Sequence, residues 1–225
     1  MTGVQTCALP ILIIIALVAI LLIVAGAVFS SGILKNDERI TTPFKTEFME
    51  GNFTGHVKLV NDSEKFMHSY EDHENNITYN ISTVDNASAL MEIYQLQGAK
   101  NPEKRTFNGT EWNIYFTQAV PSNNSSDTSG KSMNIIICES QSEKQGYMIY
   151  MIFGNNSKVN YTLNTFCEAY EDYAEPLIQS ITLKESKHVP AISEQFGLTD
   201  EQFAQQMDLV HQYMAGNTSA LETGE

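Results

Sequence analysis

An α+β domain with a mostly antiparallel sheet, preceded by an N-terminal transmembrane helix and followed by a C-terminal helical tail, is the architecture this sequence predicts. Three observations predict it. All 40 Asp, Glu, Lys and Arg residues lie after residue 34, so the net charge of −14 belongs to the polar part alone. That part carries several runs with the two-residue period of strands, one short helical pattern, more strands and one long helical pattern. Beyond residue 192 the apolar residues recur at helical spacing.

Ile11–Phe29 is nineteen residues without a polar side chain. A helix of that length covers about 28 Å, close to the hydrocarbon thickness of a bilayer. Secretory signal cores are shorter, about 7 to 15 residues, so the expectation is an uncleaved anchor over residues 11–31. The small residues Ala25-Gly26-Ala27 and Ser30-Ser31 keep a cleaved signal open as the alternative. No cysteine follows the span directly, which excludes a lipoprotein. Orientation is read from flanking Lys and Arg, and nothing basic precedes Ile11. Residues 1–11, MTGVQTCALPI, resemble the translation of a short-read sequencing adapter. The resemblance implies that residues 1–10 are an artefact, that the native start was replaced, and that Cys7 has no biological role.

Residues 32–43 form a polar linker, and residues 44–184 the α+β domain. Phe44–Glu50 alternates like a strand, with Gly55–Val60 as its hairpin partner and Gly51-Asn52 at the turn. Ser63–Glu74 reads as a polar connection. Asn76–Val84 is the next strand, with Ile77, Tyr79 and Ile81 on one side. Asp85 or Asn86 caps a helix over Ala87–Gln97 that turns Leu90, Met91 and Tyr94 inward and stops at Gly98. An Asn108-Gly109 turn divides Thr106–Val120. Pro121–Lys131 is a loop. Met133–Cys138 and Tyr147–Phe153 are apolar on both faces, as central strands covered on two sides must be. Leu163, Phe166, Cys167, Tyr170, Tyr173, Ala174, Leu177 and Ile178 form the buried stripe of a helix over Tyr161–Gln179, with Pro176 in its last turn. Ser180–Lys184 closes the domain as a strand. Residues 185–225 comprise a hinge with Pro190 and an amphipathic helix. Thr199-Asp-Glu-Gln202 has capping-box spacing, and Phe203, Met207, Val210 and Met214 form its stripe. That stripe either packs back onto the domain or meets a partner or membrane; a polar face lacking Lys and Arg argues against an anionic bilayer surface.

Eleven of the 18 asparagines begin Asn-x-Ser/Thr triplets: Asn52, Asn61, Asn76, Asn80, Asn86, Asn108, Asn123, Asn124, Asn155, Asn160 and Asn217. With 36 Ser and Thr in 225 residues, chance gives only about three. The excess points to N-glycosylation outside a membrane, against a merely Asn-rich surface. Cys138 and Cys167 fit that compartment either as a helix-to-sheet disulfide or as two inert buried thiols.

The acidic balance excludes a nucleic-acid partner, which requires clustered Lys and Arg. Candidate chemistry gathers in one place, His68, Glu71, Asp72, His73 and Glu74. The two histidines lack the i, i+4 spacing of helical zinc ligands, but a loop there offers hard oxygen ligands of the kind calcium takes. The competing reading is a solvated acidic loop. Trp112, Tyr115, Tyr147 and Tyr150 either form a sugar- or peptide-binding wall or belong to the core. No nucleophile elbow, phosphate loop or cofactor motif occurs; the catalytic and cofactor expectation is none.

Thr165-Phe166 through Ser180-Ile181-Thr182-Leu183, a helix followed by an S-I-x-L strand after a central hairpin, resembles the closing elements of the PsbP-like α+β fold. The whole layout of anchor, Asn-rich acidic ectodomain and absent catalytic signature resembles surface-anchored proteins of methanogenic archaea. This implies an envelope location and archaeal glycosylation, and no activity. The expectation is a single-pass, non-enzymatic extracellular domain that touches lipid through Ile11–Phe29 and serves envelope structure or recognition of a protein or carbohydrate. A surface-anchored hydrolase of extracellular polymers and a pilin-like filament subunit are the alternatives.

Overall fold

A computed structural model describes residues 40–215 apart from 65–66, 97–98, 120–132 and 196. The anchor, the linker up to residue 39, the loop around 121–131, and Asn123, Asn124 and Asn217 lie outside the described residues. Among the described residues no helix is long and apolar enough to cross a membrane.

The domain is α+β, and every strand pairing in it is antiparallel. A small sheet takes the order β1 (Thr41–Lys45), β2 (Met49–Thr54), β10 (Thr182–Leu183). The large sheet has seven strands: β3 (Lys58–Glu64), β4 (Met67–Asp72), β5 (Ile77–Val84), β6 (Glu103–Phe107), β7 (Thr110–Ala119), β8 (Met133–Gln141) and β9 (Gly146–Phe153). Their spatial order is β3-β4-β5-β9-β8-β7-β6, so the doubly apolar segments β8 and β9 lie in the interior of the sheet.

Both faces are covered, as that pattern requires. On one face Ile81, Ile114, Ile136, Ile149 and Met151 share a core with Met49 and Phe53 of the small sheet and with Phe48 from the turn before β2. Tyr170, Leu177 and Ile178 complete this core from a helix made of a π-helical stretch, Ala169–Ala174, running into α2 (Glu175–Ser180). On the other face Ile135, Ile137 and Met148 pack against α1 (Ala87–Leu96), and against Ile192 of α3 (Ile192–Gln195) and Phe203 and Met207 of α4 (Asp200–Met214). Full burial of each large apolar side chain contributes about 1.5–3 kcal/mol.

Local chemistry accounts for most element boundaries. Asn86 Oδ1 accepts the Ala89 N–H at 3.1 Å, which caps α1. Asn108 and Gly109 take φ of 52° and 80°, the paired positive angles of a two-residue hairpin turn between β6 and β7. The capping box forms as spaced: Thr199 N–H donates to Gln202 Oε1 at 3.0 Å and Gln202 N–H to Thr199 Oγ1 at 3.2 Å. Phe203 and Met207 turn inward and Val210 packs beside them, so these three stripe residues meet the domain, while the Met214 side chain lies outside the described residues.

Four expectations are corrected. The first hairpin turns at Thr46–Phe48, not Gly51-Asn52, because the Thr46 hydroxyl accepts the N–H groups of Phe48 and Met49 at 3.3 and 2.9 Å. Gly51 instead lies within β2, where a β-carbon would come within 3.0 Å of Ile181 Cδ1 and 3.1 Å of Ser180 Oγ. The polar connection Ser63–Glu74 contains β4, whose inward positions hold His68, Tyr70 and Asp72 rather than aliphatic residues. The long helix starts at Ala169 rather than Tyr161, and Phe166 is 84% exposed instead of buried. Pro176 opens α2 and does not end a helix: the Glu175 N–H reaches back five residues to the Tyr170 carbonyl, and Pro176 follows where no N–H is needed.

Candidate functional site

The His68–Glu74 segment is built as strand β4 and the turn after it, and this divides its side chains. His68 faces the small sheet, its ring centroid 5.8 Å from that of Phe48, with Nε2 buried and without a hydrogen-bond partner. Asp72 is 1% exposed and serves the turn: Oδ1 accepts the N–H groups of Glu74 and Asn75 at 3.0 and 3.1 Å, and Oδ2 accepts Asn75 Nδ2 at 2.7 Å. His73 is exposed, with Nδ1 3.5 Å from Glu71 Oε2, and Glu74 is exposed as well. Among the described residues no group of three or more His, Cys, Asp or Glu side chains converges to hold a metal ion.

The other sequence candidates are distributed similarly. Trp112 and Tyr147 belong to the core under the small sheet, whereas Tyr115 and Tyr150 pack on the α1 face, so the four do not form one wall. Cys138 and Cys167 are both buried and both free thiols. Burial in the apolar interior pushes the Cys138 thiol far up, which leaves it without nucleophilic character. Cys167 donates to the Asn164 carbonyl, with Sγ 3.3 Å away.

Most of the sequon asparagines among the described residues lie at the surface. Of the eight with described side chains, Asn52, Asn61, Asn76, Asn86, Asn108, Asn155 and Asn160 are exposed and only Asn80 is half-buried. Among the six other described asparagines Asn75, Asn113 and Asn134 are half-buried, so exposure is not a property of every asparagine here.

Two features escaped the sequence reading. An open groove of about 550 Å³ lies on the small sheet, bordered by Phe44, Lys45, Glu50, Asn52 and Ser180. Its acid, Glu50, bonds to the Lys184 ammonium, with Lys45 Nζ at 3.9 Å. The Lys184 hydrogen bond holds the Glu50 carboxyl below its ordinary value, helped by the charges of Lys184 and Lys45 against partial desolvation. On the opposite face Glu139 of β8 is fully buried, accepting Ser88 Oγ at 3.1 Å and Asn113 Nδ2 at 2.7 Å. Burial, with the nearby charges of Glu139 and Glu92, pushes the Tyr115 hydroxyl up to about 12. The only sequence signal for this array was a carboxylate directly following the apolar run that ends at Cys138.

No family model matches the chain, and no curated protein matches it. A solved structure from Bacteroides thetaiotaomicron VPI-5482 is similar over 65% of this chain and 49% of its own, with a TM-score of 0.42 and 8% identity. The chain thus spans about half the length of that structure.

Proposed function

We propose that this chain is a membrane-anchored, N-glycosylated extracellular domain with a non-enzymatic role in envelope structure or in recognition of an extracellular protein or carbohydrate. The anchor is Ile11–Phe29, as in the surface proteins of methanogenic archaea that the layout resembles. The observation that carries the reading is the surface position of seven of the eight described sequon asparagines. N-glycans attach only to side chains that reach solvent on the outer side of a membrane. An acidic surface of the kind implied by a net charge of −14 keeps such a domain soluble and repels like-charged neighbours.

The hydrolase reading loses its support where Asp72 is consumed by a turn and His68 faces Phe48. The shallow, open surface of the small sheet, with Lys45, Glu50, Asn52 and Ser180 around it, offers polar groups that a recognition role would use. Protease shaving of intact cells tests the address. The expected result is loss of a C-terminal epitope from intact cells. Protection of that epitope until the cells are lysed overturns the reading.

A further inference from the structure

We propose that the fold sorts the sequons: Asn52, Asn86, Asn155 and Asn160 carry N-glycans, and Asn76, Asn80 and Asn108 do not. The inference rests on the outward-facing reading and adds to it which side-chain amides are chemically available. In the transfer, Nδ2 forms a bond to the anomeric carbon of an oligosaccharide carried on a lipid phosphate or pyrophosphate. The bond from that carbon to the phosphate oxygen breaks, the phosphate leaves with the electron pair, and the proton lost from Nδ2 passes to the departing phosphate or to water. The amide nitrogen must therefore stand free of the protein with room for a sugar ring beside it.

At four positions the residue is exposed and none of the described hydrogen bonds uses its side-chain nitrogen. Asn86 caps α1 through Oδ1, which accepts the Ala89 N–H, so its Nδ2 points away from the bond and a sugar there leaves the cap intact. Ser88, the hydroxyl residue of that sequon, is exposed although it bonds to Glu139. Asn155 is exposed in the turn after β9. Asn160 is exposed and takes part in the fold through its backbone, its N–H donating to Glu168 and its carbonyl accepting the Ala169 N–H. Asn52 is exposed on β2, and its main-chain N–H is held by Ser180 Oγ at 2.8 Å, which leaves the side chain at the rim of the groove.

At Asn108 and Asn76 the amide nitrogen is held against the protein, and at Asn80 the sequon itself lies within the sheet. Asn108 Nδ2 donates to the Gln179 carbonyl at 2.9 Å, tying the β6–β7 turn to the end of α2. Asn76 sits at φ 53° with Nδ2 pressed against Gly154, where a β-carbon would meet it at 2.2 Å. Asn80 is half-buried within β5, between β4 and β9, with Oδ1 accepting the Ser69 hydroxyl at 2.7 Å. Its hydroxyl residue, Ser82, is only 6% exposed. A glycan at any of the three requires breaking these contacts first.

The test is site-by-site occupancy, by mass spectrometry of glycopeptides from the full chain isolated from its own membranes. Occupancy at Asn52, Asn86, Asn155 and Asn160 is expected to exceed that at Asn76, Asn80 and Asn108 at least tenfold. Comparable occupancy in the two groups overturns the sorting while leaving the glycoprotein reading intact. Bare asparagine at every site overturns the glycoprotein reading, and the sorting with it.

Discussion

Gly55 lies against the carboxylate of Asp72: a β-carbon at residue 55 would come within 2.9 Å of Asp72 Oδ2. Gly55 also takes φ 92°, a conformation that costs an L side chain about 1–3 kcal/mol. The contact fixes how the chain leaves β2 for β3, because Asp72 is itself locked by three hydrogen bonds in the turn between β4 and β5. Gly55→Ala is therefore expected to destabilise the domain by at least about 1 kcal/mol in urea unfolding. Asp72→Ala opens the space but removes the turn's acceptor. The double variant should then cost less than the sum of the single ones, since the two sites share a contact. Strict additivity would show that the packing contact contributes nothing.

Glu139 gives a second prediction, about polar burial. Its carboxylate is fully buried and its donors are Asn113 Nδ2 and Ser88 Oγ. Asn113→Ala leaves a buried acceptor short of a partner, which costs about 1–3 kcal/mol. Replacing both groups, Asn113→Leu with Glu139→Leu, removes donor and acceptor together and is expected to cost less than Asn113→Ala alone. Equilibrium unfolding of the three variants decides it. A double variant less stable than Asn113→Ala would mean that the carboxylate stabilises the fold in some further way.

What the sequence made legible follows from which side chains carry the signal. The two-sided burial of β8 and β9, the inward set Ile77, Tyr79 and Ile81, the Asn108-Gly109 turn and the Thr199–Gln202 box all depend on local patterns, and all appear in the structure. Strand β4 was hidden because its buried face uses His68 and Asp72, which read as loop chemistry when neither partner strand is known. Phe166 misled for the opposite reason. Its spacing continues a helical stripe, but the chain before Ala169 is held by Asn164 Oδ1, which accepts the Phe166 N–H at 2.9 Å, and by the Tyr161 hydroxyl at the Thr117 and Ile135 carbonyls. The Glu50–Lys184 pair joins residues 134 apart in sequence and has no local signature at all.

That pair supplies the pH dependence. The folded carboxyl of Glu50 titrates below its ordinary value of 4.5 because Lys184 donates to it and both Lys184 and Lys45 are cationic. Between the folded value and 4.5 the unfolded chain binds the proton more readily, so stability rises with pH through that window. The contribution is fully present above 4.5 and is lost as pH falls through the folded value. Lys184→Met is expected to raise the Glu50 titration midpoint, followed by the carboxyl carbon resonance, and to flatten the acid limb of the stability profile. Lys45→Met, whose contact is the longer at 3.9 Å, should move the midpoint less. An unchanged midpoint in Lys184→Met would exclude the hydrogen bond as its cause.

The tail helix is held by its own cap and by a small apolar footprint, which makes its docking separable from the rest of the fold. Phe203 and Met207 are 9% and 8% exposed on the α1 face, and His211 Nε2 lies 2.6 Å from Glu92 Oε2 of α1. Upstream, Asp85 Oδ1 accepts the Ile192 N–H at 2.8 Å and the Asp85 N–H donates to the Pro190 carbonyl at 3.1 Å, so the segment expected to act as a hinge is pinned where it meets α3. Thr199→Ala removes one capping bond and should cost about 0.5–2 kcal/mol. Phe203→Asp places a charge in the apolar cluster that α4 shares with α1 and should release α4 without unfolding the sheet. Hydrogen exchange would read this directly, with protection lost over residues 200–214 and retained in β5, β8 and β9. Loss of protection in all of these elements together would mean that the tail is an integral layer of the core and folds only with it.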